Sequence, residues 1–345
     1  MSIIPIEVPT GAIRYNTDSN KMECFNGTKW YQISVSRPDL DGGARGIFAG
    51  GAKDPSAGNA STNAIDYVTI PTQGNAADFG DLTESKNQCA TAASKVRGYT
   101  LGGGNHPTGT RYNTIEYITF SSTGNGTDFG DLDTTTADEK SRMGGCNSPT
   151  RGMCAGGLSG NSNKMWYITM TTSGTGLDFG DLTASLENVM SCSSPTRALW
   201  AGGNDGSSTH TNVIQYITSA TLGNAMDFGD LSVTRTSTGA ASNSTRGIWP
   251  GGATPSVGKV IDYTTIATLG NAINFGELPT SVDKGNAACS STLRVLISGG
   301  GTGPNAGLNN INYITIATQG DAVDFGDRTN DEKRCCSMSN ANGGL

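Results

Sequence analysis

Carboxylates paired across a Phe-Gly dipeptide recur along this chain. Asp78–Asp81, Asp128–Asp131, Asp178–Asp181, Asp227–Asp230 and Asp324–Asp327 each read Asp-Phe-Gly-Asp, and Asn274–Glu277 reads Asn-Phe-Gly-Glu. Three chemistries could use such groups. A kinase binds metal through Asp-Phe-Gly, but it also needs a glycine-rich phosphate loop, a strand lysine and an HRD loop, and the sequence has none of them. Calcium wants clustered hard oxygens, which makes Asp78, Asp81 and their equivalents candidate ligands. Calcium is disfavoured, because the two carboxylates flank only Phe-Gly and no EF-hand or nonapeptide loop surrounds them. The third chemistry is an ion pair. One arginine opens an apolar run in every copy (Arg45, Arg97, Arg151, Arg197, Arg246, Arg294), and a guanidinium matches a carboxylate bidentately. An Arg–Asp bond tying one copy to the next is the favoured expectation.

The remaining reactive side chains are sparse. Histidine occurs only at His106 and His210, and none of the eight cysteines forms a CxxC pair, so a zinc site lacks a ligand set. Cys146, Cys192 and Cys289 each lie five residues before a strand-opening arginine, where Ala92 and Ala241 stand in other copies. Small size is the shared property, and buried free thiols are expected. There is no Gly-x-Ser-x-Gly elbow and no acid/base pair outside the repeat. The chain is therefore not expected to be an enzyme or to need a cofactor.

Composition narrows the class further. Glycine supplies 49 of 345 residues, charged residues only 15%, and the net charge is −7. No basic field is available for nucleic acid. No apolar run approaches the ~18 residues of a membrane span, and residues 1–10 lack the basic and apolar regions of a secretory signal. The sequons at Asn26, Asn59, Asn125 and Asn243 are read as chance.

What must position these groups is a repeat. The motif phenylalanines, at 79, 129, 179, 228, 275 and 325, are spaced 50, 50, 49, 47 and 50 residues apart. Tyr67, Tyr117, Tyr167, Tyr216, Tyr263 and Tyr313 recur in phase, each in a segment like IDYVTI. Such a period with four short segments per unit predicts propeller blades. Strand A is small and polar, strand B is the Arg-led run ending in paired glycines, strand C is IEYITF-like, and strand D closes at Phe-Gly-Asp. Gly-Asn turns such as Gly74-Asn75 mark the C–D hairpin. The first unit lacks strand A, and residues 334–345 read as a strand A with no unit after it. The expectation is an all-β, six-bladed propeller over 41–345, closed by the C-terminal strand 334–345 beside Arg45–Gly51. Residues 1–40 form a separate small β module, too short to bury a good core alone.

The glycine pair after an apolar strand and the ~50-residue period resemble kelch-type propellers, although the Trp that follows the Tyr in kelch blades is absent here. The GG…IdYiTI…GNAxDFGDL unit is similar, more specifically, to repeats in structural proteins of tailed bacteriophages, marine ones especially. Residues 11–32, GAIRYNTDSNKMECFNGTKWYQ, resemble a module near the virion-attached ends of phage fibre and decoration proteins. Gly11, Arg14, Tyr15, Asn16, Thr17, Asp18, Gly27 and Trp30 carry that match. The resemblance implies a virion protein, assembled in the host cytoplasm, with other virion proteins as partners and homo-oligomers possible. Arg14, Tyr15, Asp18 and Trp30 are its candidate attachment residues.

Loop variation gives the rest. The A–B and C–D turns are short and repetitive, while the B–C and D–A connections differ in every copy. Recognition usually resides in loops on a rigid scaffold. His106, Arg111, Tyr112 and His210 are therefore candidate partner-binding residues. A structural or adaptor component of a tail fibre, tail tip or capsid decoration is the expectation. The alternative is a fibre head that binds a host receptor protein or surface glycan; the few loop aromatics weigh against glycan stacking.

Overall fold

A computed structural model describes residues 8–17, 21–32, 44–53, 60–133, 140–158, 162–205, 207, 209–237, 239–253, 258–282, 285–301 and 307–345. Every regular element among them is a β-strand, paired antiparallel. The chain divides into two compact units, Met1–Asp41 and Gly42–Leu345.

In the first unit β1 (Ile13–Asn16), β2 (Lys21–Phe25) and β3 (Trp30–Gln32) form a three-stranded meander. The period-2 alternation of strands and the register Tyr15↔Met22, Ile13↔Cys24, Cys24↔Tyr31 put Ile13, Tyr15, Met22 and Tyr31 on one face. All four are exposed.

The second unit is built from the repeat. Its pattern is clearest in β7 (Ala90–Ala93), β8 (Arg97–Leu101), β9 (Thr114–Thr119) and β10 (Thr127–Asp131), a four-stranded sheet in chain order. β-Branched and aromatic residues favour the pleat in β9, while the glycines after β8 let the chain turn out with φ of 64° and 114° at Gly102 and Gly103. Strands β11–β14, β15–β18 and β19–β22, spanning residues 144–282, repeat this arrangement three times. The other copies are joined. β26 (Val323–Lys333) runs past its Phe-Gly-Asp, so that Glu332 and Lys333 pair with Lys53 and Ala52 of β4 (Arg45–Lys53). β27 (Cys336–Ser339) pairs with the other half of β4, from Cys336↔Ala49 to Ser339↔Gly46.

Two sets of hydrogen bonds join neighbouring sheets. In the first, the Gly-Asn turn of one copy grips the Phe-Gly-Asp of the copy before. Gly124 N–H donates to the Phe79 carbonyl (2.8 Å) and Gly126 N–H to the Asp81 carbonyl (2.7 Å). Asp81 N–H donates to Asn125 Oδ1 (3.1 Å). Gly74 and Ala76 of the first copy bond Phe325 and Asp327 of the last in the same way. This close approach is why the motif needs glycine: a Cβ on Gly130, at φ 144°, would lie 2.3 Å from the Gly174 carbonyl oxygen.

The second set runs through the residues just before the innermost strands. Gln88, Arg142, Asn188, Ser237, Gly285 and Arg334 all have left-handed φ, between 53° and 66°. Each N–H donates to the carbonyl of the previous member, and Gln88 N–H donates to the Arg334 carbonyl (3.1 Å), so the six bonds return to their start. A left-handed residue other than glycine costs roughly 1–2 kcal/mol, and these bonds hold the conformation. Below them β7, β11 (Gly144–Asn147), β15 (Met190–Ser193), β19 (Ala241–Ser242), β23 (Asn286–Ser290) and β27 each lie against the next, and β27 lies against β7. The core lies between sheets: Phe79 packs with Ile118 and Phe120 of the next copy as well as with Ile47, Ile65 and Met338 of its own sheet.

Candidate functional site

The residues that recur in each repeat are consumed by the fold. Arg45, Arg97, Arg151, Arg197, Arg246 and Arg294 place their guanidiniums 4.2–5.0 Å from the ring centroids of Tyr67, Tyr117, Tyr167, Tyr216, Tyr263 and Tyr313. Each tyrosine in turn meets its motif phenylalanine edge-to-face, at 5.8–6.2 Å. The expected Arg–Asp bond is not formed. The guanidiniums instead donate to backbone carbonyls at the end of strand C in the next copy, as Arg197 does to Ile266 and Ala267 (both 2.9 Å). At Arg97's copy, the Tyr99 hydroxyl bonds the equivalent Met170 carbonyl. Carbonyls that end a strand lack ladder partners and need donors, so the arginine satisfies them while stacking on the ring. Asp78 and Asp81 are exposed, and no cluster of three or more His, Cys, Asp or Glu suited to a metal occurs among the described residues.

A different set of charged residues went unseen in the sequence. The residue between the Ile-type and Tyr positions of strand C anchors the preceding D–A connection. Asp262, fully buried, receives Arg235 Nη2 at 2.6 Å and Ser232 Oγ at 2.7 Å. Arg235 also donates to the carbonyls of Trp249, Gly251 and Val260 (3.0 Å each). Burial pulls the Arg235 guanidinium below its ordinary value, and Asp262 opposes that shift. Glu116 pairs with Lys86, and Asp66 with Arg328 (3.3 Å). At Trp166 the anchor is a cation over an indole, with Lys140 Nζ 4.3 Å from the ring, and at Gln215 it is the Thr183 N–H and hydroxyl. In these five copies four residue types stand at this position: Asp meets Arg, Glu and Trp meet Lys, and Gln meets Thr. The available signal was a buried strand position whose charge is answered about thirty residues earlier, as at Glu116 and Asp262; for Asp66 the answering Arg328 comes from the last copy.

These connections surround a cavity of about 560 Å³. The six left-handed residues form its collar, and Thr91, Gly145, Ser191 and Ser337 lie deeper in its wall. Arg142 and Glu187 meet within it at 3.0 Å. Its volume is in the range of small-molecule sites, and its lining is more polar than most. Of the loop residues singled out from sequence, His210 lines this cavity and His106, Arg111 and Tyr112 do not. Arg111 and Tyr112 sit together on the 105–113 loop, where Tyr112 lies over Lys86 Nζ (5.9 Å) and accepts from Asn105 (3.4 Å). His106 is exposed on that loop, its N–H bonded to Ser61 Oγ (2.9 Å).

In the first unit, Arg14 and Trp30 come together: the guanidinium lies 4.1 Å from the indole centroid and pairs with Glu23 at 2.8 Å. Hydrogen bonds from Asn16 and then Arg14 hold the Glu23 carboxyl below its ordinary value. These residues maintain the sheet, while Tyr15 projects from the other face with Ile13 and Tyr31. Asp18 lies outside the described residues.

All eight cysteines are free. Cys146, Cys192 and Cys289 pack into the cores between sheets, and burial pushes their thiols up, as it pushes Cys154 to about 12. No helix among the described residues is long and apolar enough to cross a membrane. No protein-family model matches the chain, and no curated protein matches it at a significant level.

Proposed function

We propose that residues 42–345 are a closed six-bladed propeller and that the chain is a non-enzymatic structural component of a phage virion. The N-terminal unit attaches to the particle in this reading, and the propeller is displayed for protein contacts. The observation that carries the propeller is the circuit of six backbone hydrogen bonds from Gln88 through Arg334, one residue from each repeat. Support for a non-catalytic role is the use of the repeated arginines, tyrosines and aspartate-bearing turns in joining sheets. The virion assignment rests on the sequence resemblance of the repeat and of Gly11–Trp30. The exposed Ile13, Tyr15, Met22 and Tyr31 face fits attachment, because a sheet this small needs a second surface to cover its apolar side.

The test is incorporation. Mass spectrometry of gradient-purified particles from infected cells should detect the chain. Tyr15→Ser with Tyr31→Ser should remove it from particles, while Tyr112→Ala with His210→Ala should not. Absence from particles despite abundance in the lysate overturns the virion reading. Loss from the loop pair alone reverses the polarity.

The cavity favours a second reading, a head that binds a host surface glycan at the axis. A glycan array probed with the purified full chain, with Arg142→Gln as control, separates the two.

A further inference from the structure

Two thiols meet at the wall of the cavity. Cys89 immediately precedes β7, and Cys336 opens β27. Cys89 N–H donates to Cys336 Sγ at 3.0 Å. Both residues line the 560 Å³ cavity, so a small oxidant in that space reaches them without unfolding the core. The hydrogen bond from Cys336, with help from the Lys86 ammonium, holds the Cys89 thiol below its ordinary value, while burial holds Cys336 above its own. One member of the pair is thus the better thiolate and the other a protonated neighbour, which is the division of labour that thiol–disulfide exchange needs.

We propose that Cys89 and Cys336 are an oxidative cross-linking site, forming an intramolecular disulfide when the protein meets a small-molecule disulfide. The Cys89 thiolate attacks one sulfur of oxidised glutathione, forming a mixed disulfide and expelling a glutathione thiolate. Cys336 loses its proton to solvent, and its thiolate attacks the Cys89 sulfur and expels the second glutathione thiolate. Two electrons pass from the protein to glutathione, and the leaving thiolates take up protons from water.

The position of the bond gives it a purpose. β27 is paired to β4 with no short covalent turn between them. A bond from β27 to the residue before β7 makes a covalent loop of residues 89–336, covering five of the six repeats and locking the C-terminal strand against β7. It forms only in oxidising surroundings, so it would follow assembly rather than precede it. Cys335 also lines the cavity and is the competing partner.

The test uses the full-length chain, freed of reductant and incubated with excess oxidised glutathione at mildly alkaline pH, then denatured for thiol titration and digested without reduction. The expected result is a loss of two thiols from wild type and a Cys89–Cys336 cross-linked peptide, with a higher thermal midpoint. In Cys336→Ser, glutathione should remain on Cys89. Retention of all eight thiols, a cross-link that uses Cys335, or glutathione left on Cys89 in wild type would each overturn the proposal. The wild-type peptide map decides the matter even if the serine variant folds poorly.

Discussion

Replacing Gly130 by alanine isolates the role of the Phe-Gly-Asp glycine. Its φ of 144° is one that residues with a Cβ rarely adopt, and the new Cβ would lie 2.3 Å from the Gly174 carbonyl oxygen. Strain of this kind costs about 1–3 kcal/mol. The clash must also push away the neighbouring turn, weakening the bonds from Gly174 N–H to Phe129 (3.2 Å) and from Gly176 N–H to Asp131 (2.8 Å), worth about 0.5–1.5 kcal/mol each. The expected destabilisation is about 2–6 kcal/mol. Gly174→Ala is the matched control: its φ is 151°, but nothing lies within 4 Å of its Cβ, so only strain applies. In urea, with a slope of about 3 kcal/mol/M for a chain this size, Gly130→Ala should lower the midpoint by about 0.7–2 M and Gly174→Ala by about 0.3–1 M, with the larger shift in Gly130→Ala. Equal midpoint shifts for the two variants would refute the close-approach explanation and leave backbone strain as the whole effect.

Deleting residues 334–345 removes β27 and the Arg334 link of the hydrogen-bond circuit, and the truncated chain should lose its cooperative melt by circular dichroism; an unchanged melt contradicts closure through that strand. Arg235→Met strands the buried Asp262 carboxylate and should cost about 3–5 kcal/mol, most of it recovered in Arg235→Met/Asp262→Leu, as chemical denaturation of the single and double variants will show. The Cys154 thiol has its folded value raised from 9.0 to about 12 by burial. Its contribution is complete below pH 9 and is lost as pH rises toward 12, because the unfolded thiol ionises first. Cys154→Ala should therefore flatten the fall in stability across that range in pH-dependent urea melts, even if it is less stable at neutrality.

Repetition made the architecture legible. Tyr, Phe and Gly recur in phase because each performs one task at every junction, so strands B, C and D could be placed from their spacing. The partner of the recurring arginine was misjudged for a physical reason. Asp81 offers a complementary charge that can be seen in the sequence, whereas the true acceptors are main-chain carbonyls such as those of Ile266 and Ala267, which no residue type announces. The D–A anchors were missed for the opposite reason. Glu116, Trp166, Gln215 and Asp262 occupy one structural position with four different side chains, and a search for recurrence passes over a site whose rule is pairing. The cavity was equally hidden, since its collar carries Gln88, Arg142, Asn188, Ser237, Gly285 and Arg334, which share a backbone conformation rather than a side chain.

That collar has a consequence for how such a protein changes over generations. The bonds that close it run between N–H and carbonyl groups that every non-proline residue possesses, so the five side chains it presents are not the groups that complete the circle. A repeat array starts with identical copies and therefore with a symmetric rim. Here five of the six positions carry side chains of four types on the same left-handed backbone, while Gly285 is fixed because a Cβ there would lie 2.5 Å from the Arg334 nitrogen, so a repeated scaffold coexists with a lining that does not repeat. The same repeated frame can thus present a different chemical face in each descendant at the positions that accept a side chain.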